Sequence, residues 1–410
     1  MRVFNIYTLL FLGLISFSPA AAGQPPSAVP VAMTTAPALS ADTYFAQGKA
    51  QDEKGNYELA IGYYSLALRQ NANHSKALFN RAIDFVELGR LEEAKTDLDQ
   101  VLALNPTDAE AWQMRGSVHY QLGEYAAAVA DFNDALYHAK KPEIYLCRGL
   151  AYSGMKYYRE AFLDFDAAID ANPNHARAYA AKGDVYLALE QYWEAVLMYD
   201  KAIKLEPDQA LFYNNRGSAL SKLGRFGQAM DNFNQAIQLE PLGQIFINRS
   251  FCLLEQGDFK AAKQDGKTAL LLSPENPDAY FCIGLSESEA GEYDKAISSF
   301  DIAIEINDQV AEYYFHRGKA RFLSGDYYKA IEDFYQVLRL SPDDPGAIGM
   351  VEESFKAIET QVVPLMEENQ RMPQTQEPSG APTPQNYISP SSQEDIMTER
   401  GIKEDPFGGF

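Results

Sequence analysis

Asparagine and arginine stand side by side at three places in this chain: "LFNRA" (78–82), "YNNRG" (213–217) and "FINRS" (246–250). An amide that donates and accepts, next to a guanidinium that grips carboxylates in a planar fork, is a pair equipped to hold a ligand. Other reactive side chains are less promising. The histidines (His74, His119, His138, His175, His316) lie singly and far apart, which does not read as a metal-binding set. The cysteines (Cys147, Cys252, Cys282) are odd in number and form no C-x-x-C, so small buried apolar side chains are expected. A Cys252–Cys282 bridge is left open. No G-x-S-x-G, P-loop, H-E-x-x-H or dinucleotide fingerprint occurs, so the expectation is a non-enzyme without metal or cofactor.

The residues around these pairs recur. Segments beginning at 41, 75, 109, 142, 176, 210, 243, 277 and 311 share one internal pattern at spacings of 33 or 34 residues. Position 4 of each is aromatic or apolar, and position 8 is Gly, Ala or Ser. Position 20 is Ala in all nine: Ala60, Ala94, Ala128, Ala161, Ala195, Ala229, Ala262, Ala296 and Ala330. Position 24 is mostly aromatic, and position 32 is proline in six units, including Pro106, Pro173 and Pro274. Apolar residues at helical spacing on both sides of a turn such as "LGR" or "SGD" predict a helical hairpin. Small residues at 8 and 20 let its helices approach, and proline at 32 stops the second. One such hairpin cannot bury both its faces, so neighbours must stack into a solenoid.

Arginine occupies position 7 in six units: Arg81, Arg115, Arg148, Arg216, Arg249 and Arg317. The five units with Asp at position 23 (Asp97, Asp131, Asp164, Asp265, Asp333) all carry this arginine, whereas Gln47, Lys182 and Ile283 face Tyr63, Met198 and Ser299. This covariation within one chain predicts an ion pair between the two helices of a hairpin. The arginines therefore read as scaffold.

The pattern resembles the tetratricopeptide repeat family, and the match covers residues 41–344. The resemblance implies an all-α fold: a right-handed superhelical solenoid of helix-turn-helix hairpins whose first helices line a concave groove. Departures are local. Ala72 and Asp308 replace the proline, and Gly266 replaces the position-24 aromatic of the seventh unit. In the family, positions 2, 5, 6, 9, 12 and 13 of the first helix face the groove. That register makes Asn80, Asn214, Asn215 and Asn248 candidates for holding the backbone of an extended peptide. Phe45, Phe79, Phe281 and Phe315 are candidate apolar surface near the two ends, with Lys49 beside the first. The clamp by which cytosolic chaperone adaptors hold a terminal carboxylate needs Lys at 5, Asn at 9, Asn at 6 of the next unit, then Lys and Arg. Here those places hold Phe45, Lys49, Asn80, Glu110 and Met114, so only one matches.

The flanks complete the reading. Arg2, the apolar run "VFNIYTLLFLGLISFS" (3–18), and Ala20 and Ala22 before Gly23 have the form of a secretory signal, with cleavage after residue 22 expected. Residues 23–40 form a Pro-rich linker. Residues 345–370 are expected to form a capping helix interrupted at Pro364, and 371–410 a polar tail without fixed structure. A formal charge of −22 argues against a nucleic-acid partner, because phosphates need clustered Lys and Arg. The functional expectation is an exported, periplasmic or secreted adaptor that binds an extended peptide or a partner helix, with no membrane span once the signal is removed. A glycan-binding protein of the envelope and a spacer with no groove ligand are the alternatives.

Overall fold

The computed structural model describes residues 39–371, with side chains to residue 360. The expected signal (1–22), most of the linker and the tail from 372 onward lie outside the described residues. Nine helix pairs follow one another: α1 (Ala41–Asp52) with α2 (Tyr57–Gln70), α3 (Ser75–Glu87) with α4 (Leu91–Leu104), and α5 (Ala109–Gln121) with α6 (Tyr125–His138). Next come α7 (Pro142–Gly154) with α8 (Tyr158–Ala171), α9 (Ala176–Ala188) with α10 (Tyr192–Leu205), and α11 (Ala210–Lys222) with α12 (Phe226–Leu239). The last pairs are α13 (Gly243–Glu255) with α14 (Phe259–Leu272), α15 (Pro277–Glu289) with α16 (Tyr293–Ile306), and α17 (Ala311–Leu323) with α18 (Tyr327–Leu340). A final helix, α19 (Pro345–Arg371), follows them.

Small residues make each hairpin close. All nine position-20 alanines are fully buried. On the facing helix, a Cβ placed on Gly116 would lie 2.7 Å from a ring carbon of Phe132; Gly149 meets Phe165 at 2.6 Å and Gly318 meets Phe334 at 2.8 Å in the same way. The ring at position 24 therefore packs directly against a helix backbone that has no side chain there, and only glycine leaves room for a ring. In the second unit both partners change together: Ala82 takes the glycine's place and the slimmer Leu98 the ring's, and both are fully buried. In the seventh unit the aromatic is absent at Gly266. The gap is filled from the next unit, since a Cβ on Gly266 would lie 2.8 Å from Cγ1 of Ile283. Ser250, at the small position of that unit, is fully buried and donates to the Ala262 carbonyl at 2.9 Å.

Proline is not what ends the second helices. α2 and α16 stop at Gln70 and Ile306 although Ala72 and Asp308 replace the proline. There the Asn71 and Asn307 side chains each accept from the backbone N–H two residues on, at 3.1 Å, closing an Asx turn that does the same work. Within hairpins the chain turns through a left-handed residue, glycine in seven units. Lys156 and Glu190 supply it in the fourth and fifth, with φ of 61° and 58°.

First helices of successive units touch one another along most of the stack, whereas second helices of successive units stay farther apart. The first helices thus form its inner, closer-packed side. Among the described residues, those up to Val351 form one compact unit, and those from Glu352 to Arg371 belong to a second. Within the first, Ala347, Met350 and Val351 at the start of α19 pack on Tyr314, Phe334 and Val337 of the ninth pair. Pro364 does not interrupt α19, which continues to Arg371. A proline forfeits a single backbone bond, and the flanking turns carry the helix past it.

Candidate ligand groove

The arginines are built into the wall behind the groove. Arg81 donates from Nε and Nη2 to the two oxygens of Asp97, both at 2.7 Å, and Arg115 does so to Asp131 at 2.8 Å. Arg148–Asp164, Arg249–Asp265 and Arg317–Asp333 repeat the fork. In the sixth unit Arg216 donates instead to the Asn232 amide oxygen at 2.8 Å. The predicted interhelical pairs are all present.

The structure adds a contact that the sequence reading missed. The remaining nitrogen, Nη1, reaches back to position 25 of the preceding unit: Arg81 to Ser65, Arg115 to Asp99, Arg148 to Asn133, Arg216 to Asp200, Arg249 to Asn234 and Arg317 to Asp301, at 2.5–2.8 Å. Lys182 makes the same reach to Asp166 at 2.6 Å. Five of these arginines also lie over the position-4 ring of their unit, as Arg115 does over Trp112 at 4.7 Å and Arg317 over Tyr314 at 5.4 Å, whereas Arg81, whose unit has Leu78 there, lies over Phe85 at 5.6 Å. One side chain therefore ties two helices of a hairpin and two consecutive hairpins, leaving little of its donor capacity for a ligand.

The asparagines behave differently. Asn215 donates from Nδ2 to Asp184 Oδ1 at 2.9 Å, and Asn214 donates to Asn215 Oδ1 at 2.9 Å. Asn248 donates to Asn214 Oδ1 at 2.9 Å, and Gln244 Nε2 donates to Asn248 Oδ1 at 3.1 Å. A row of amides on the first helices α11 and α13 thus runs to the carboxylate of Asp184 on α9. Asn214 is buried, while Asn215, Asn248 and Gln244 are half-buried. Asn80 stands apart and donates to the Lys76 carbonyl of its own helix at 2.8 Å.

The aromatic candidates divide as well. Phe45 is half-buried between Tyr64 and His74, with centroids 5.7 and 5.1 Å away, and Phe79 packs on the core of the second unit. Lys49 is exposed. Phe281 is buried, ringed by Phe251, Phe300, Tyr313 and His316, so most of its surface serves the eighth and ninth units. Phe315 is half-buried against Phe334 at 5.9 Å. His316 shares this cluster, and burial pulls its imidazole down to about 4.

Two acids in the first helices were not singled out by sequence. Asp184 accepts from Asn215 and, at 2.6 Å, from the Tyr199 hydroxyl, both on Oδ1; its Oδ2 is buried without a partner. Burial pushes this carboxyl up to about 6 against the restraint of its two donors. Tyr199 sits at position 24 and lies under Gly183, so its ring ends at the inner side, where a phenylalanine would bring no hydroxyl. Asp84, fully buried in α3, is pushed up to about 8 by burial and by the neighbouring Asp52 and Glu87 carboxylates. All three cysteines are buried free thiols, and burial raises the Cys282 thiol to about 12. No group of three or more His, Cys, Asp or Glu placed to hold a metal occurs among the described residues.

Models of the tetratricopeptide repeat match residues 41–74, 79–143, 142–175, 210–241, 253–310 and 283–345, and one described as TPR repeat matches 183–224. The chain belongs to the tetratricopeptide repeat family. Among curated proteins it is similar to Hsp70-Hsp90 organizing protein 3 of Arabidopsis thaliana, 29% identical over 117 residues, covering 26% of this chain and 21% of that one. It is also similar to DnaJ homolog subfamily C member 7 of Mus musculus, 32% identical over 96 residues, 23% of this chain and 19% of that protein. The chain therefore spans about a fifth of the length of these relatives. Among solved structures, the APC/C hetero-tetramer Cut9-Hcn1 superposes with a TM-score of 0.56 at 16% identity, over 76% of this chain and 63% of that one. A tetratricopeptide repeat protein from Parabacteroides merdae ATCC 43184 gives 0.53 at 22% identity, over 60% of this chain and 98% of that one. At these identities the likeness concerns the fold.

Proposed function

We propose that this tetratricopeptide protein is a non-catalytic adaptor that binds an extended peptide or a partner helix on the side lined by its first helices. The observation that carries this reading is the row of hydrogen-bonding amides from Asn215 to Gln244, which crosses the sixth and seventh units on that side and ends on Asp184 of the fifth. Amides there add modest increments of about 0.5–1.5 kcal/mol each, so a useful site needs several in a row. Similarity to proteins such as an Hsp70-Hsp90 organizing protein agrees with a role in protein assemblies. Only the second-unit asparagine of the chaperone-type carboxylate clamp is present, which favours internal over terminal segments of a partner. The acidic charge disfavours nucleic acid. No helix among the described residues is long and apolar enough to cross a membrane.

We also place the protein outside the cytoplasm, in a bacterial envelope, on the strength of residues 1–22. N-terminal sequencing of the native protein should begin at Gly23; retention of the apolar segment would contradict export by cleavage. For the binding role, the immobilised protein should capture partners from an envelope extract, and Asn215→Ala with Asn248→Ala should release them. A variant that retains every partner would leave only a spacer, and capture of purified glycan in preference to protein would favour the carbohydrate alternative.

A further inference from the structure

The amide row has a direction, and one residue sets it. A carboxylate only accepts hydrogen bonds, so Asn215 must present its NH2 to Asp184. Its carbonyl oxygen is then turned toward Asn214, which must answer with NH2. The same choice passes to Asn248 and then to Gln244, whose Nε2 ends the row. The oxygens of Asn215, Asn214 and Asn248 each accept from within the row, and every amide, the terminal Gln244 included, spends one N–H on its neighbour and keeps one. Asn215, Asn248 and Gln244 are half-buried, so their remaining N–H groups lie where a ligand can meet them. Polarisation along a chain of aligned hydrogen bonds ending on an anion strengthens those donors. Among the described residues no cation pairs with this anion: Lys182 is engaged by Asp166 and Arg216 by Asp200 and Asn232.

We infer that Asp184 orients the groove amides of the sixth and seventh units as hydrogen-bond donors, so that they recognise an extended segment through its main-chain carbonyl oxygens. This rests on the peptide-binding reading above and narrows it. Asp184 is here a positioning residue, held by the Tyr199 hydroxyl and acting through Asn215. Any segment offers carbonyls at regular intervals, so such a row selects extended backbone over side-chain identity.

Two measurements separate this inference from the reading beneath it. In the free protein, side-chain amide NMR signals of Asn215, Asn214 and Asn248 should all move on Asp184→Asn and on Tyr199→Phe. Movement confined to Asn215 would overturn the connected row, whether or not any ligand is known. For binding, the probe is a 12-residue peptide selected by phage display on the purified protein, with single thioamides placed along it. A thioamide sulfur accepts poorly while its N–H donates more strongly, so thioamides over these units should weaken binding about ten-fold. In Asp184→Asn, whose amide permits the row to reverse, that penalty should shrink to about two-fold. Unchanged or tighter thioamide binding would overturn the donor assignment while leaving the peptide site intact. Failure to select any peptide, or its displacement by purified envelope glycan, would overturn the peptide reading itself.

Discussion

At the scale of single residues, the fork between Arg81 and Asp97 shows how a conspicuous charged motif serves packing. Asp97 is almost fully buried, so its charge depends on the arginine for compensation. Removing one partner leaves an orphaned charge and should cost about 3 kcal/mol, whereas replacing both with apolar residues should recover most of it. Arg81→Met and Asp97→Leu, singly and combined, measured by urea unfolding, check this; simply additive losses would contradict the pairing. The glycine–ring contact makes a second prediction. Gly116→Ala forces a methyl to within 2.7 Å of Phe132 and should destabilise by about 1–3 kcal/mol. Adding Phe132→Leu recreates the Ala82–Leu98 pair of the second unit, so the double variant should regain part of the loss.

Among elements, the junction between the seventh and eighth units uses different means from the others. Arginine ties successive hairpins at most junctions, but here position 7 is Ile283, which fills the space over Gly266. Lys263 supplies the charged link instead, 3.0 Å from Glu287 and 3.3 Å from Glu292. Ile283→Ala should therefore open a cavity and cost about 2–4 kcal/mol. In a linear stack that loss stays local, so hydrogen exchange should quicken in α14 and α15 while α3 to α6 keep their protection. Uniform acceleration along the chain would show that the hairpins do not behave as separable neighbours.

For the molecule as a whole, the buried acids of the first helices set how stability responds to pH. In the unfolded chain Asp84 titrates near the ordinary carboxylate value of 3.8, but in the folded protein near 8. Between those values the folded state holds a proton that the unfolded state has released, so stability falls as pH rises through the window. The cost is absent below about pH 4 and complete above about pH 8. Asp184 repeats the effect over the narrower window up to about 6. Thermal unfolding at pH 5 and pH 9 should show Asp84→Asn gaining on the parent protein most at pH 9. An equal gap at both pH values would remove the carboxyl as its cause.

The sequence by itself determined the hairpins and their scaffold. A repeat near 34 residues, alanine at every position 20 and the arginine–aspartate covariation are local or periodic signals, and contacts between helices a few residues apart must follow them. It also marked Asn215 and Asn248 through the register of the family's first helix. Only the tertiary structure decided what those amides do. Asp184 and Asn215 are neighbours because two units stack, and no periodic signal marks a pair that occurs once. Tyr199 looked like one more position-24 ring until packing under Gly183 carried its hydroxyl to Asp184. Phe281 and Ile283 show the same limit, because whether an apolar side chain on an inner helix faces a ligand or the next unit depends on how closely the neighbouring backbone approaches. Covalent periodicity fixes the repeat, while the distance between stacked helices fixes which of its side chains remain available for binding.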